Sequence, residues 1–254
     1  MNGTCCFLVA LALAAGRAAS VPCQGSEHSF DSNGVKIHYI VEGSGEPVIL
    51  IHGLYSSAFV NWQMPGVVAL LAKDHRVLAL DVRGHGASDK PTQDDAYGVE
   101  MVEDVLRLMD REKIQKAHLI GYSMGGMITM KFMVLHPERV SSGLLGGMGW
   151  LREGGMLGKM WGFMLGGLLG TPAACPHSFG KLAVSEAELK AVKVPVEVLV
   201  GDRDPCRTLY VAPLRQVRED WPVIEIAGAG HMDCIVKPQF KDEVQKWIAK
   251  QSGK

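Results

Sequence analysis

The sequence has 254 residues, of which 47% are hydrophobic, and it carries a formal net charge of −1 without blocks of like charge. A chain of this length and composition can bury one sizeable core, as a single α/β domain does. The near-zero charge excludes the electrostatic signature of a nucleic-acid-binding protein, so we expect a small, uncharged or weakly charged partner.

The first 20 residues have the pattern of an export signal. Residues 7–15 form an unbroken apolar run that is too short to span a bilayer. Ala18, Ala19 and Ser20 follow as a small-residue cleavage site, and Pro22 ends any continuing helix. We therefore predict a signal peptide over residues 1–20, a secreted or periplasmic location, and a single folded domain over residues 21–254.

Apolar runs and turn signals alternate along the rest of the chain, as β-strands and helices do in α/β proteins. The predicted strands lie at residues 29–30, 35–41, 47–51, 75–80, 117–120, 140–145, 194–200 and 223–226. The predicted helices lie at residues 58–71, 97–112, 127–135, 209–217 and 238–250. This alternation predicts a mostly parallel sheet with crossover helices.

The turn after the strand at 47–51 is His52-Gly53. A turn at this point can supply an oxyanion donor, the amide of Leu54, although a His-Gly pair is often no more than a turn. The next strand runs into a glycine-punctuated loop that carries Arg83, His85 and Asp89. We assign these three side chains the structural role of holding a long loop against the sheet.

Residues 121–126, Gly-Tyr-Ser-Met-Gly-Gly, stand between a predicted strand and a predicted helix. A strand, a sharp turn and a helix with Ser at the turn make the G-x-S-x-G pattern of a nucleophile elbow. The glycines are needed because a side chain would collide with the neighbouring strand and helix. The amide of Met124 would open a helix whose positive end favours an oxyanion beside Ser123. The pentapeptide is weak evidence until its context is added.

Residues 146–183 differ from the rest, being rich in Gly, Met and Leu. Glycine recurs every four residues at positions 154, 158, 162, 166 and 170. On a helix this spacing leaves a bare stripe that lets another backbone come close. We predict a small apolar cap or lid over the site, the alternative being a packed segment that only covers apolar surface. A transmembrane span is a poor interpretation because the segment is short and contains Lys159.

Regular order returns at Ser185, which opens a capping-box pattern with Glu188. Two carboxylates, Asp202 and Asp204, follow the strand at 194–200, and His231 follows the strand at 223–226. A nucleophile, an acid and a base therefore occur in the order Ser, Asp, His. The residues themselves leave both aspartates open as the acid.

This order resembles that of the α/β-hydrolase family, over about residues 26 to 250. The matching pieces are His52-Gly53, Arg83-Gly84-His85-Gly86-Ala87-Ser88, Gly121-Tyr122-Ser123-Met124-Gly125-Gly126, Gly201-Asp202-Arg203-Asp204 and Gly230-His231-Met232. The resemblance implies the α/β-hydrolase fold, a mostly parallel twisted sheet with helices on both faces, with a short Gly/Met-rich cap at about residues 146–183.

The resemblance also implies a site. It makes Ser123 the nucleophile, His231 the base and Asp204, three residues after Gly201, the acid. The amides of Leu54 and Met124 would form the oxyanion hole. The implied reaction is hydrolysis of a carboxylic ester, thioester or lactone through an acyl-enzyme, with no cofactor, on a small apolar ester-like molecule.

Branches of the family differ in the residue that stands at the nucleophile position of the elbow. Relatives that open epoxides or remove halide carry Asp at the elbow, and Ser123 argues against them. Relatives resembling cofactor-free haloperoxidases, lactonases and carbon–carbon bond hydrolases keep Ser and remain open. Non-catalytic binding members usually lack one triad residue, whereas this chain has all three.

Four cysteines lie outside the predicted signal: Cys23, Cys175, Cys206 and Cys234. An even number fits disulfides in an oxidising compartment, and no C-x-x-C or zinc-ligand spacing is present, so we predict no metal site. If Asp204 binds His231, the loops that carry Cys206 and Cys234 meet, and we expect a disulfide between them. Cys23–Cys175 is a weaker second pair, and the alternative is buried thiols that never meet.

Overall fold

The computed structural model describes residues 25–155 and 170–253. The predicted signal peptide, Cys23 and the three middle glycines of the predicted stripe lie outside these residues. The first and last glycines of the stripe, Gly154 and Gly170, have φ angles of 70° and 76°. These angles lie outside the right-handed helical region, so neither glycine belongs to a helix of the predicted kind.

Eight strands form one sheet: β1 (Ser26–Ser32), β2 (Val35–Glu42), β3 (Glu46–Ile51), β4 (His75–Leu80), β5 (Ala117–Tyr122), β6 (Val140–Gly146), β7 (Val196–Gly201) and β8 (Val223–Ile226). Their order in space is β1-β2-β4-β3-β5-β6-β7-β8. β2 pairs antiparallel with β1 and β4, and every other neighbouring pair is parallel. The predicted mostly parallel sheet is thereby confirmed.

Seven α-helices lie in the described part of the chain: α1 (Val67–Leu71), α2 (Val99–Arg111), α3 (Met124–Leu135), α4 (Ala174–His177), α5 (Glu186–Ala191), α6 (Ala212–Val217) and α7 (Pro238–Gln251). The predicted capping box of Ser185 and Glu188 opens α5. Within the two described ranges, every helix is too short or too polar to cross a membrane.

The sheet separates two apolar layers. Side chains alternate between its faces along each strand, so Ile49 and Ile51 enter one layer while Val48 and Leu50 enter the other. Helices α2, α3, α5 and α6 contribute to the first layer, and α1 and α7 to the second. The helices therefore cover both faces, as the strand–helix alternation predicts.

Two predicted helices contain a π-helical turn, and one of them is broken into two pieces. Residues 58–71 fold as a π-turn at Phe59–Gln63 and the separate helix α1. The helix is interrupted at Gly66, because its left-handed φ of 80° does not fit a right-handed helix. Residues 209–217 are helical throughout, as predicted, because a π-helical turn at Arg207–Val211 continues directly into α6. The prediction of one uninterrupted helix was therefore wrong only over residues 58–71.

Candidate active site

The elbow at Ser123 joins the end of β5 to the start of α3. Ser123 has φ 54° and ψ −114°, a combination that costs free energy for a residue with a side chain. The surrounding backbone holds it there, because the Ser123 amide donates to the Gly146 carbonyl at 2.8 Å and the Gly126 amide donates to the Ser123 carbonyl at 2.8 Å. The strain presents the serine side chain at the carboxyl end of the sheet.

The glycines of the elbow are sterically required. A Cβ on Gly121 would lie 2.1 Å from the carbonyl oxygen of Gly125, and a Cβ on Gly125 would lie 2.0 Å from that of Ile51. Both distances are far below a van der Waals contact, and the opposing atoms are backbone. The close approach that the pattern predicts is therefore present on both sides of Ser123.

Three side chains from three strand ends form one hydrogen-bonded chain. His231 Nε2 lies 2.9 Å from Ser123 Oγ, and His231 Nδ1 lies 2.8 Å from Asp204 Oδ2. A carboxylate oxygen can only accept a hydrogen bond, so Nδ1–H is assigned as the donor to Asp204, and Nε2 keeps a lone pair toward the serine hydroxyl. These are the contacts by which a base can activate a serine and an acid can fix the tautomer of the base.

Of the two candidate acids, the structure brings Asp204 and not Asp202 to His231. Asp204 is 3% exposed and its Oδ1 accepts the Cys206 amide at 2.8 Å. Asp202 is exposed and accepts the amides of Gly228 and Ala229 at 2.9 and 3.1 Å. The Gly228 amide lowers the pKa of Asp202. Asp202 therefore joins the β7 and β8 loops and takes no part in the serine–histidine chain.

The two residues predicted to donate to an oxyanion are Met124, next to Ser123 in the chain, and Leu54, which lines the same cavity as Ser123. Met124 is the first residue of α3, so its amide has no acceptor within the helix. Leu54 lines the cavity in front of Ser123. Its neighbour Gly53 packs directly on the serine, since a Cβ at Gly53 would lie 3.3 Å from Ser123 Cβ. Leu54 and Met124 therefore lie near the serine, and their role as oxyanion donors stays a prediction.

His52 fixes the peptide that carries the Leu54 amide, a role that the sequence does not predict. It is fully buried, and burial lowers its pKa. Its Nε2 accepts the Val82 amide at 3.0 Å, so Nδ1 carries the proton and donates to the Gly53 carbonyl at 2.7 Å. In a trans peptide the N–H points opposite to the C=O, so the Leu54 amide is turned away from His52. The only signal in the sequence was a His-Gly pair after a buried strand.

The loop after β4 has the predicted structural role. Arg83 is 2% exposed and donates to both carboxylate oxygens of Asp104 on α2, at 2.7 and 2.6 Å. Asp89 accepts the Lys36 amide of β2 at 2.9 Å. His85 Nδ1 donates to the Arg83 carbonyl at 3.2 Å, and burial lowers the pKa of His85 to about 3. These contacts hold the loop to the sheet and to α2.

A cavity of about 480 Å³ opens above Ser123 and His231. Its walls are apolar and contain no Lys, Arg, Asp or Glu among the described residues. The main apolar contributors are Leu54, Met64, Met127, Met148, Phe179 and Ile235. Methionine side chains are flexible and polarizable, so such walls adapt to apolar ligands of different shapes.

The mouth of the cavity is also apolar. Met64 is 61% exposed and Met232 is 86% exposed, and both line the opening together with Val60 and Val236. Phe59, beside Val60, is 60% exposed. Half of the exposed large hydrophobic side chains of the described residues therefore belong to the wall of one cavity, which is where a ligand would cover them.

The predicted Cys206–Cys234 disulfide is wrong. Within the described ranges, Cys175, Cys206 and Cys234 are all buried free thiols. Cys206 faces the site instead, with Sγ 3.6 Å from Nδ1 of His231. Burial and the nearby carboxylate of Asp204 raise the pKa of the Cys206 thiol. The loops that carry Cys206 and Cys234 do lie close together, as expected, but the sequence does not determine where their side chains point.

Three comparisons with known proteins agree with this architecture. A family model described as alpha/beta hydrolase fold matches residues 46–172, half of the chain.

Bifunctional epoxide hydrolase 2 of Rattus norvegicus is 31% identical over 125 residues, which are 47% of this chain and 22% of that protein. The 2-hydroxy-6-oxo-6-(2'-aminophenyl)hexa-2,4-dienoic acid hydrolase of Metapseudomonas resinovorans is 34% identical over 125 residues, 48% of this chain and 42% of that protein. The match thus spans less than half of the length of either relative.

Among solved structures, a carboxylesterase of the thaumarchaeon Nitrososphaera gargenis superposes with a TM-score of 0.74. The superposition covers 90% of this chain and 99% of the other, at 18% sequence identity. At this identity the likeness concerns the fold.

Proposed function

The chain belongs to the α/β-hydrolase family, and we propose that it is a serine hydrolase that cleaves carboxylic esters with an apolar acyl part. The observation that carries the proposal is the hydrogen-bonded chain from Ser123 through His231 to Asp204 at the floor of an apolar cavity. A catalytic serine needs a base within hydrogen-bond reach and an acid that orients the base, and both are in place.

The proposed reaction has two halves. In the first, His231 Nε2 takes the proton of Ser123 as Oγ attacks the ester carbonyl, and the amides of Leu54 and Met124 hold the oxyanion. His231 then gives its proton to the departing alcohol, which leaves an acyl-enzyme. In the second half, water attacks the acyl group by the same route. One oxyanion donor contributes about 3–4 kcal/mol in other serine hydrolases.

The character of the substrate is inferred from the cavity. A volume of about 480 Å³ suits a small molecule, and walls without charged side chains favour an uncharged acyl group. Buried charge without a partner is costly, so an anionic or cationic acyl group would bind poorly. We propose an apolar ester, with thioesters and lactones as the nearest alternatives.

A second candidate is cleavage of a carbon–carbon bond. The relative from Metapseudomonas resinovorans is named as the hydrolase of an aminophenyl-hexadienoic acid, and carbon–carbon hydrolases of this family keep the elbow serine. Opening of an epoxide is less favoured, although the rat relative is named for it, because Ser123 stands where that branch carries Asp. We also propose a secreted or periplasmic location from the signal pattern in residues 1–20.

One panel of substrates tests these proposals. Purified protein is assayed against p-nitrophenyl esters from acetate to palmitate, a lactone, an acyl-CoA and a vinylogous 1,5-diketone. We expect hydrolysis of the neutral esters, with acyl chains longer than acetyl preferred. Turnover of the diketone without turnover of any ester would assign the carbon–carbon reaction instead. Inactivity on the whole panel, together with no labelling by a fluorophosphonate, would reject a serine hydrolase.

A further inference from the structure

Three side chains of types that can bind metal ions lie close together beside the floor of the cavity. Asp204, Cys206 and His231 each offer one ligand atom, and these atoms all lie within 4.8 Å of one another. Cys206 Sγ is 3.6 Å from His231 Nδ1, which is 2.8 Å from Asp204 Oδ2. A thiol, an imidazole and a carboxylate are the ligand types that zinc takes in proteins. We propose that these three residues bind Zn²⁺ and that the bound ion inhibits the enzyme.

The spacing of the ligand atoms suits a tetrahedral ion. Zinc binds sulfur at about 2.3 Å and imidazole nitrogen at about 2.05 Å, which places the two atoms about 3.6 Å apart at a tetrahedral angle. The distance from Cys206 Sγ to His231 Nδ1 is 3.6 Å. An oxygen and a nitrogen ligand lie about 3.4 Å apart on the same ion. The Asp204–His231 contact of 2.8 Å must therefore open by about half an ångström to admit zinc.

Charge and access also suit a zinc ion. A carboxylate and a thiolate neutralise its two positive charges, so the bound cluster has no net charge in an apolar surrounding. Cys206 and His231 line the cavity, whereas Asp204 lies buried behind them. An ion can thus enter from the cavity, and a water molecule on the cavity side can complete the tetrahedron. The field of the ion itself favours loss of the thiol proton.

A zinc ion bound to these residues would prevent His231 from acting as the base. This consequence rests on the proposed function. The thiol releases its proton to solvent as the sulfur–zinc bond forms. The single ring proton of neutral His231 must then sit on Nε2, because Nδ1 is bound to the ion. Nε2 has no lone pair left to accept the Ser123 proton. The ion also separates Asp204 from the ring that this carboxylate orients.

The metal site is tested first without any substrate. Metal-free protein is titrated with Zn²⁺ in equilibrium dialysis, and with Co²⁺ while the absorption spectrum is recorded. We expect one ion per chain and a sulfur-to-cobalt charge-transfer band in the near ultraviolet. Cys206→Ala should lose the band and bind Zn²⁺ at least about tenfold more weakly. Cys206→Ser keeps the side-chain size and should also lose the band, which guards against misfolding of the alanine variant.

Cys234→Ala is the matched control, since Cys234 is also a buried free thiol and lies three residues after His231. This variant should keep the cobalt band and the zinc affinity. Binding of no ion by the wild type would overturn the proposal. A cobalt band that survives in Cys206→Ala and disappears in Cys234→Ala would overturn it as well.

Inhibition is tested second, with hydrolysis of p-nitrophenyl butyrate and fluorophosphonate labelling as readouts. Each protein is compared with its own metal-free rate. Zn²⁺ should slow both readouts in the wild type, and EDTA should restore them, whereas Cys206→Ala should need at least about tenfold more Zn²⁺ for half-inhibition. Equal half-inhibition of the two proteins would overturn the proposal. If the wild type neither hydrolyses nor labels, the proposed function fails, while the cobalt spectrum still decides whether the metal site exists.

Discussion

At the scale of single residues, the side chain of Ser123 has one hydrogen-bond partner among the described side chains, His231, and its backbone carries the elbow. Removing the hydroxyl should therefore abolish catalysis without disturbing the turn. We expect Ser123→Ala to lower ester hydrolysis by about 10⁴-fold or more and to lose fluorophosphonate labelling. The near-UV circular dichroism spectrum and the thermal midpoint should stay unchanged. An alanine variant that keeps near-full activity would remove Ser123 from the mechanism.

The two aspartates after β7 provide a matched pair of substitutions. Asp204→Asn keeps the shape of the side chain but can no longer fix the imidazole tautomer, so we expect kcat to fall by about 10⁴-fold. Asp202→Asn weakens contacts with the Gly228 and Ala229 amides and an exposed ion pair with Arg203, all outside the serine–histidine chain, and should leave kcat within a few fold. Steady-state kinetics of both variants on one ester will show which aspartate is the acid. The opposite ranking would make Asp202 the acid.

The individual site residues differ in how far the sequence determines them. The elbow that carries the proposed nucleophile was predictable because the steric demands on Gly121 and Gly125 are local and leave a pattern of adjacent letters. The acid was not, since Asp202 and Asp204 follow the same strand, and only the family resemblance separated them. The positions of Cys206 and His52 depend on where side chains point after folding. No spacing in the sequence encodes that direction.

At the scale of elements, the buried pair of Arg83 and Asp104 joins the loop after β4 to α2. Removing the carboxylate would leave the buried guanidinium with only the partly exposed Glu100 carboxylate, 3.5 Å away, as its counter-charge. Breaking a buried ion pair costs about 3–5 kcal/mol in other proteins. We expect Asp104→Ala to lose that much unfolding free energy in urea denaturation. Arg107→Ala removes a partly exposed ion pair with Glu100, a hydrogen bond to Ser32 Oγ and a longer contact of 3.9 Å with Asp104, so we expect a smaller loss of about 1 kcal/mol. Similar losses in both variants would contradict the structural role of Arg83.

Glu197 on β7, which faces charged residues of α7, should make the stability of the folded protein depend on pH. Burial, with a smaller effect from Glu243, raises the pKa of Glu197 from 4.5 to about 7, while Lys250 opposes the shift. Between these values the folded protein keeps a proton that the unfolded chain releases, so stability falls as pH rises through this interval. Glu197→Gln stays neutral and avoids that loss.

The measurement is the thermal midpoint of Glu197→Gln and wild type at pH 4.5 and pH 8. We expect similar midpoints at the lower pH and a higher midpoint for the variant at the upper pH. Glu27→Gln, which changes an exposed glutamate on β1, is the control and should show no such gain. A variant that is less stable than wild type at pH 8 would show that the Glu197 carboxylate is satisfied in the fold.

The strands were predicted more accurately than the helices, and the cause is physical. A strand buried on both faces is a short apolar run bounded by turn residues, and each predicted strand from β3 to β8 falls at its observed place. A helix boundary depends on backbone angles that many residues tolerate. Gly66 adopts a left-handed φ and divides residues 58–71, although the apolar spacing continues across it. Periodicity therefore located the covered face but not the break.

At the scale of the whole molecule, the topology brings distant parts of the chain to one edge of the sheet. The strands β3, β5, β7 and β8 run parallel, so the loops that carry Leu54, Ser123, Asp204 and His231 all leave from their carboxyl ends. Such an edge is where open α/β sheets bind ligands. The π-turn at Phe59–Gln63 and the turn at Cys234–Val236 then extend the same edge into an apolar mouth.

The apolar mouth yields a prediction about substrate length. Met64 is 61% exposed and Val236 is 49% exposed, and both line the opening, so a long acyl chain would cover them on binding. Each buried methylene contributes about 0.8 kcal/mol, which is about fourfold in KM. We therefore expect Met64→Lys and Val236→Lys to raise KM for a p-nitrophenyl ester of a long acyl chain by about fourfold or more, and to leave the acetyl ester unchanged.

Leu135→Lys is the control for this prediction. Leu135 is 40% exposed at the far end of α3, about 17 Å along the helix from the elbow, so a lysine there adds the same charge without touching the cavity. Its KM values should match those of the wild type for both esters. If the lysines at the mouth raise KM equally for acetyl and long-chain esters, the acyl chain does not leave through this opening. In that case the chain must lie wholly within the cavity of about 480 Å³, and its walls rather than its mouth would select the substrate.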